Sequence, residues 1–244
     1  MQPVALVVGA GDATGGAIAR RFARGGYTVC ATRRSFDKLQ PLLERIRADG
    51  GTAHGFASDA RKEDEVVALV ERIETTIGPI EVLAFNIGAN APSSILDETA
   101  RRYFKIWEMA CMAGFLNGRE VARRMVARAG DSHKGTIIFT GATASLRGSA
   151  NFAAFAGAKH ALRALAQSMA RELGPRGIHV AHVVIDGAID TAFIRENFPE
   201  RYALKQREGI LDPDHIAEMY WMLHRQPRDA WTHELDLRPW MEKF

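Results

Sequence analysis

The chain has 244 residues, enough for one well-buried core, and residues 1–244 are expected to form a single domain. A composition of 47% hydrophobic and 25% charged residues excludes a disordered chain, and a formal net charge of +3 without a basic block lacks the pattern of a nucleic-acid binder. Only Cys30 and Cys111 are present, without CxxC or His/Cys metal spacing, and the apolar start PVALVVG is too short for a signal peptide or a membrane span; no metal, no membrane and a cytoplasmic location are expected.

In chain order, short apolar β-branched runs fall at residues 4–8, 27–32, 52–57, 80–86, 135–140 and 178–185, with amphipathic helical stretches in the gaps. Runs such as VALVV, EVLAF, TIIF and HVAHVVI are continuous rather than alternating, as expected of strands covered on both faces. One helix runs from about Asn151 to Leu173, another opens at Asp212 and Pro213, and residues 232–237 read as a last strand. The stretch 191–211 is the freest loop and a candidate lid. The expected fold is α/β, a single doubly wound, Rossmann-type parallel sheet of about seven strands with helices on both faces.

The first chemical feature is the turn after strand one, Gly9-Ala10-Gly11-Asp12-Ala13-Thr14-Gly15, which runs directly into a helix. Glycines let the backbone approach a pyrophosphate, whose charge is stabilised by free N–H groups at a helix N-terminus. The spacing is not GxGxxG, because Thr14 takes the third glycine position; it fits GxxxGxG with Ala13 in place of the middle glycine. At the end of strand two, Thr32-Arg33-Arg34 offers no carboxylate for a ribose 2′-hydroxyl but two guanidiniums for a 2′-phosphate, so NADP(H) is preferred over NAD(H). Asp12 argues mildly the other way.

The turn, together with Asp59-Ala60, Phe85-Asn86-Ile87-Gly88, Lys159 and Asp186-Gly187-x-x-x-Thr191, resembles the short-chain dehydrogenase/reductase family along essentially the whole chain. The resemblance implies cofactor contacts from Gly9, Gly11, Asp12, Ala13, Thr14, Gly15, Thr32, Arg33, Arg34, Asp59, Ala60, Asn86, Gly88, Gly187, Ile189 and Thr191. It also implies that Lys159 bonds the nicotinamide ribose and assists a tyrosine general acid/base. That tyrosine is absent: its position is Phe155, the serine thirteen residues earlier is Ala142, and the relay asparagine is Ala110. The enoyl-reductase variant, with tyrosine seven residues before the lysine, meets Phe152 instead.

Lys159 lies on an apolar stripe with Phe152, Phe155, Leu162, Ala166, Met169 and Leu173, where an ammonium is costly to bury and a specific role is implied. Substitute proton donors are Thr143 and Ser145, beside the vacated serine position, and Tyr202 on the lid. Two functions remain open. One is an NADP(H)-dependent oxidoreductase acting on a small, mainly apolar carbonyl, alcohol or enone with a nonstandard proton donor. The other is an inactive NADP(H)-binding sensor or interaction protein. The family resemblance implies a homodimer or homotetramer, with Phe115, Leu116, Met125, Leu165 and Met169 as candidate contacts; apolar lid residues Phe193, Ile194 and Phe198 point to an apolar ligand.

Overall fold

The computed structural model describes residues 2–88, 90–130 and 133–243. Seven strands, β1 (Val4–Val8), β2 (Thr28–Arg33), β3 (Ala53–Ala57), β4 (Ile80–Phe85), β5 (Gly135–Thr140), β6 (Ile178–Ile185) and β7 (Glu234–Leu237), form one sheet ordered β3-β2-β1-β4-β5-β6-β7. Every pairing is parallel. Each strand lies within two residues of its expected place.

Alternate side chains of β1 enter two different cores. Ala5 and Val7 pack with Ile18, Phe22, Leu43 and Tyr220, whereas Val4, Leu6 and Val8 pack with Val70, Ile73, Val121 and Leu162. The first core therefore lies under α1 (Thr14–Arg24), α2 (Gln40–Ala48) and α9 (Pro213–Arg225), and the second under α3 (Glu63–Thr76), α5 (Ala113–Ala127) and α6 (Ala153–Leu173). Full burial of each Leu, Ile, Val or Phe contributes roughly 1.5–3 kcal/mol, and both faces of the central strands collect it, which is why these strands read as continuous apolar runs.

Two places depart from a simple reading of period. The segment carrying Ala110 forms α4 (Ala100–Trp107), a π-helical turn at Glu108–Met112 and then α5. The extra residue in that turn brings Ala110 against Ala154 and Ala158 of α6. Residues 191–211 are not an open loop but α7 (Ala192–Asn197), α8 (Pro199–Ala203) and a 3-10 turn at Leu204–Arg207. Thr191 caps α7 by accepting from the Ile194 N–H, and the stretch is closed at its base by the Ile189–Leu211 bridge.

The proposed interface set is corrected in part. Leu116 and Met125 are buried at 1% and 0% exposure, so these two side chains face the interior, whereas Leu165 and Met169 are partly buried against the second core. Among the described residues, no helix is long and apolar enough to cross a membrane, and no group of three or more His, Cys, Asp or Glu could hold a metal ion.

Candidate functional site

Strand order runs outward in both directions from β1 and β4, so the connections leave the sheet on opposite faces and open a crevice beyond the carboxyl ends of these strands. The residues singled out by motif cluster at this edge: Gly9 follows β1, Arg33 ends β2, Asp59 follows β3, Asn86 to Gly88 follow β4, Ala142 and Thr143 follow β5, and Asp186 and Gly187 follow β6.

The first turn is shaped by backbone contacts that exclude side chains. Gly9 has φ of +84°, and a Cβ there would stand 2.6 Å from the Asn86 carbonyl oxygen; at Gly15 a Cβ would stand 2.3 Å from the Gly9 carbonyl oxygen. Thr32 accepts from the N–H groups of Gly9 and Ala10, and the Asn86 amide donates to the Gly9 carbonyl. Asn86 and the Thr32 backbone thus hold the turn's shape. A Cβ on Gly11, by contrast, would meet nothing within 4 Å. Ala13 leaves the N-terminus of α1 without a side-chain cap, while Thr14 and Gly15 begin the helix in buried positions. The leading N–H groups are therefore available to an anion.

Beside this turn, a cleft of about 530 Å³ is lined by Gly11, Gly16, Arg20, Arg33, Lys38 and Arg45, with Asp12 at its edge. The Arg33 guanidinium donates to Asp12 at 3.1 Å and to the Lys38 carbonyl at 3.2 Å. Asp12 thus orients the arginine. Arg20 is paired with Asp214 of α9 at 2.7 Å. Arg34 is exposed and does not line the cleft. Arg20, Lys38 and Arg45 are absent from the sequence motifs and come together only because α1, the 3-10 turn at Asp37–Leu39 and α2 flank the end of β2.

On the other flank, Arg61 donates to both oxygens of Asp59, at 2.9 and 2.5 Å, and reaches Glu108 at 3.4 Å. Its hydrogen bonds hold the Asp59 carboxyl down at about 2, with the Arg34 charge a smaller influence. The Ala60 carbonyl accepts from the Asn117 amide.

Lys159 is 3% exposed, and its ammonium donates to the Thr140 carbonyl at 2.7 Å and the Ile87 carbonyl at 3.1 Å. Burial alone pulls its pKa down to about 8. A Cβ on Gly88 would come within 3.3 Å of the Nζ, and the Phe155 ring centroid lies 6.0 Å from it. Gly88, Phe155 and Lys159 therefore converge as the motif spacing implied, with a phenyl ring and no phenol beside the ammonium.

The three substitute hydroxyls separate clearly. Ser145 is 0% exposed, and its oxygen accepts from the Ala142 N–H. Tyr202 lies on α8 with the Lys205 ammonium 5.8 Å from its ring. Thr143 is half-buried and donates to Asp186 at 2.5 Å. Beyond Asp186, Gly187 has φ of +151° and lies against Pro239, where a Cβ would stand 2.7 Å away.

A further, partly buried network was not read from the sequence. Arg163 of α6 donates twice to Glu234 of β7, which also faces the Nδ1 of His182 at 3.0 Å. The His182 side chain is 0% exposed, its Nε2 has no hydrogen-bond partner among the described residues, and a Cβ on Gly141 would lie 2.4 Å from that nitrogen. Burial, only partly offset by Glu234, pulls His182 down to about 4, so it is neutral near pH 7.

A parallel α/β sheet with a glycine turn feeding a helix, and a buried lysine at the same edge of the sheet, defines a class of dinucleotide-binding folds. The family model of the short chain dehydrogenases matches residues 3–201, and the chain belongs to that family. It is 28% identical over 222 residues to the sorbitol-6-phosphate 2-dehydrogenase of Escherichia coli, covering 90% of this chain and 83% of that protein. A short-chain dehydrogenase structure from Rhodopseudomonas palustris is 46% identical, with a TM-score of 0.81 and coverage of 98% of this chain and 99% of that one. A metagenomic short-chain oxidoreductase solved in complex with NADP is 26% identical, with a TM-score of 0.83 and coverage of 98% of each chain.

Proposed function

We propose that the chain is an NADP(H)-dependent oxidoreductase acting on a small, mainly apolar alcohol, carbonyl or enone, with a nonstandard group moving the proton. The observation that carries this reading is Lys159, an ammonium held at 3% exposure between two carbonyls at the crevice edge of the sheet. A buried ammonium weakens the fold unless its position serves something, and its Nζ sits beside Gly88, where no side chain screens it.

The residues fit a nicotinamide dinucleotide at three points. The uncapped start of α1, with Gly9, Gly11, Ala13, Thr14 and Gly15, suits a pyrophosphate. The cationic cleft, in which Arg33 is joined by Lys38 and Arg45, suits a 2′-phosphate. Asp59 and Ala60 suit an adenine, and Gly187, Ile189 and Thr191 suit a carboxamide. A bound nicotinamide supplies a site that gives or takes a hydride. The chain supplies orientation, with Lys159 turned to the ribose and residues 191–211 serving as the lid. Phe193 and Phe198 on that lid are 61% and 48% exposed with their ring centroids 5.9 Å apart, which suits an apolar ligand. The reading includes a single domain and a homodimer or homotetramer.

The name of the Escherichia coli relative supports the dehydrogenase chemistry of this reading, and the NADP held by the metagenomic one supports its cofactor. Ala110, Ala142 and Phe155 favour the second reading, a dinucleotide-binding sensor that needs no proton path. Purified protein is assayed with NADPH and a panel of carbonyls and enones, and with NADP⁺ and the matching alcohols. Turnover that Lys159→Ala abolishes supports the enzyme. Tight NADPH binding without turnover, in both the parent and Phe155→Tyr, overturns it in favour of the sensor.

A further inference from the structure

We infer that Thr143, backed by Asp186, is the base of this site and that the chain is built to oxidise alcohols. The inference rests on the dinucleotide reading above and adds the direction of the reaction and the group that takes the proton.

Of the three substitute hydroxyls, Thr143, Ser145 and Tyr202, Thr143 alone donates to a carboxylate among the described residues. Ser145 is sealed from solvent and its oxygen is occupied by the Ala142 N–H. Tyr202 stands on the lid helix with Lys205 against its ring. Thr143 is half-buried, next to Ala142, and its Oγ1 donates to the Asp186 carboxylate at 2.5 Å.

That contact fixes what Thr143 can do. A hydroxyl has one proton, and a proton directed at a carboxylate leaves only lone pairs for a ligand. Thr143 can therefore accept a hydrogen bond from an alcohol, whereas a carbonyl oxygen would meet an acceptor. Asp186 is held to this role. It is 4% exposed, its N–H donates to the Leu237 carbonyl at 2.8 Å, and its second oxygen faces Arg238 at 3.6 Å. The other charged groups nearby are Asp236, which shares Arg238, and Glu242, which approaches Gly187 and pairs with Arg201.

The step balances. The C–H bond of the alcohol carbon breaks with its electron pair leaving as hydride to the oxidised nicotinamide dinucleotide, and the O–H bond breaks as its proton passes to Thr143 Oγ1. The former Thr143 proton moves to Asp186 Oδ1 and then to solvent, leaving a carbonyl product, the reduced dinucleotide and one proton. Thr143 is the catalytic residue in this scheme, and Asp186 acts through it as a positioning residue.

The test compares Thr143→Val, Thr143→Ser and Asp186→Asn with the parent protein. NADP⁺ binding, measured by calorimetry, is expected to change less than about threefold in Thr143→Val and Thr143→Ser, because Thr143 lies neither on the turn, nor in the cationic cleft, nor in the 186–191 element. Alcohol oxidation is expected to fall by about 10²–10⁴ in kcat for Thr143→Val and Asp186→Asn with little change in KM, and to be rescued by Thr143→Ser. In the protein without dinucleotide, the carboxylate infrared band that disappears in Asp186→Asn should shift in Thr143→Val. Undiminished oxidation by Thr143→Val, or an Asp186 band that ignores that substitution, overturns the relay while leaving dinucleotide binding intact. Failure of the parent protein to bind NADP⁺ overturns the reading beneath it and the relay together.

Discussion

Replacing Arg33 by serine isolates the choice between NADP(H) and NAD(H). Arg33 ends β2, and its guanidinium is anchored at 3.1 Å by Asp12 and at 3.2 Å by the Lys38 carbonyl, so its fork is already oriented in the cleft. A charge-assisted hydrogen bond of this kind contributes about 1.5–3 kcal/mol. At about 1.4 kcal/mol per factor of ten, Arg33→Ser should weaken NADPH binding roughly 10- to 150-fold. NADH, which has no 2′-phosphate, should change by less than about threefold. Asp12→Asn should act in the opposite sense, tightening NADPH by removing a neighbouring negative charge. The Asp12 side chain is 89% exposed, so loss of the pair should leave the melting temperature almost unchanged. Calorimetric titration of both dinucleotides at two salt concentrations reads all of this, since added salt should erode only the NADPH preference. Equal losses for NADPH and NADH, or no loss for either, would refute the assignment of this cleft to a 2′-phosphate.

Two further outcomes concern the fold around the crevice. A Cβ at Gly141 would lie 2.4 Å from His182 Nε2 and 2.9 Å from Ser145 Oγ, so Gly141→Ala should lower stability by about 1–3 kcal/mol in urea unfolding, and an unchanged midpoint would contradict the packing described. His182 is held at about 4, below the ordinary histidine range, so between about 6.5 and 4 the unfolded chain binds the extra proton and stability falls as pH falls. Comparison of the parent with His182→Asn at pH 7 and pH 4.5 should show roughly 2–3 kcal/mol more acid loss in the parent, and equal losses would exclude a neutral buried imidazole.

Much of the architecture is legible because parallel strands covered on both faces carry their signal locally. Every residue of Val4–Val8 is at most 1% exposed, and the matching sequence is an unbroken apolar run. Lys159 was equally legible, since a cation on an apolar helical stripe is conspicuous without knowledge of its neighbours. Three features were not, for different physical reasons. Arg20, Lys38 and Arg45 become neighbours of Arg33 only through the βαβ crossover, and no local pattern distinguishes them from solvated surface charge. Thr143 and Ser145 are equivalent as sequence, but the 3-10 turn sends one hydroxyl to Asp186 and the other to the Ala142 N–H. The π-helical turn at Glu108–Met112 inserts one residue into a helical period, which a 3.6-residue reading passes over.

The central claim is that this crevice holds NADP(H) with its nicotinamide at Lys159, and the crystal structure of the NADPH complex tests it most directly. The expected result has the pyrophosphate across the N-terminus of α1, the 2′-phosphate between Arg33 and Lys38, and Lys159 Nζ within hydrogen-bond distance of the nicotinamide ribose. A dinucleotide bound outside the Gly9–Gly15 turn, or one whose nicotinamide lies away from Lys159, would contradict it.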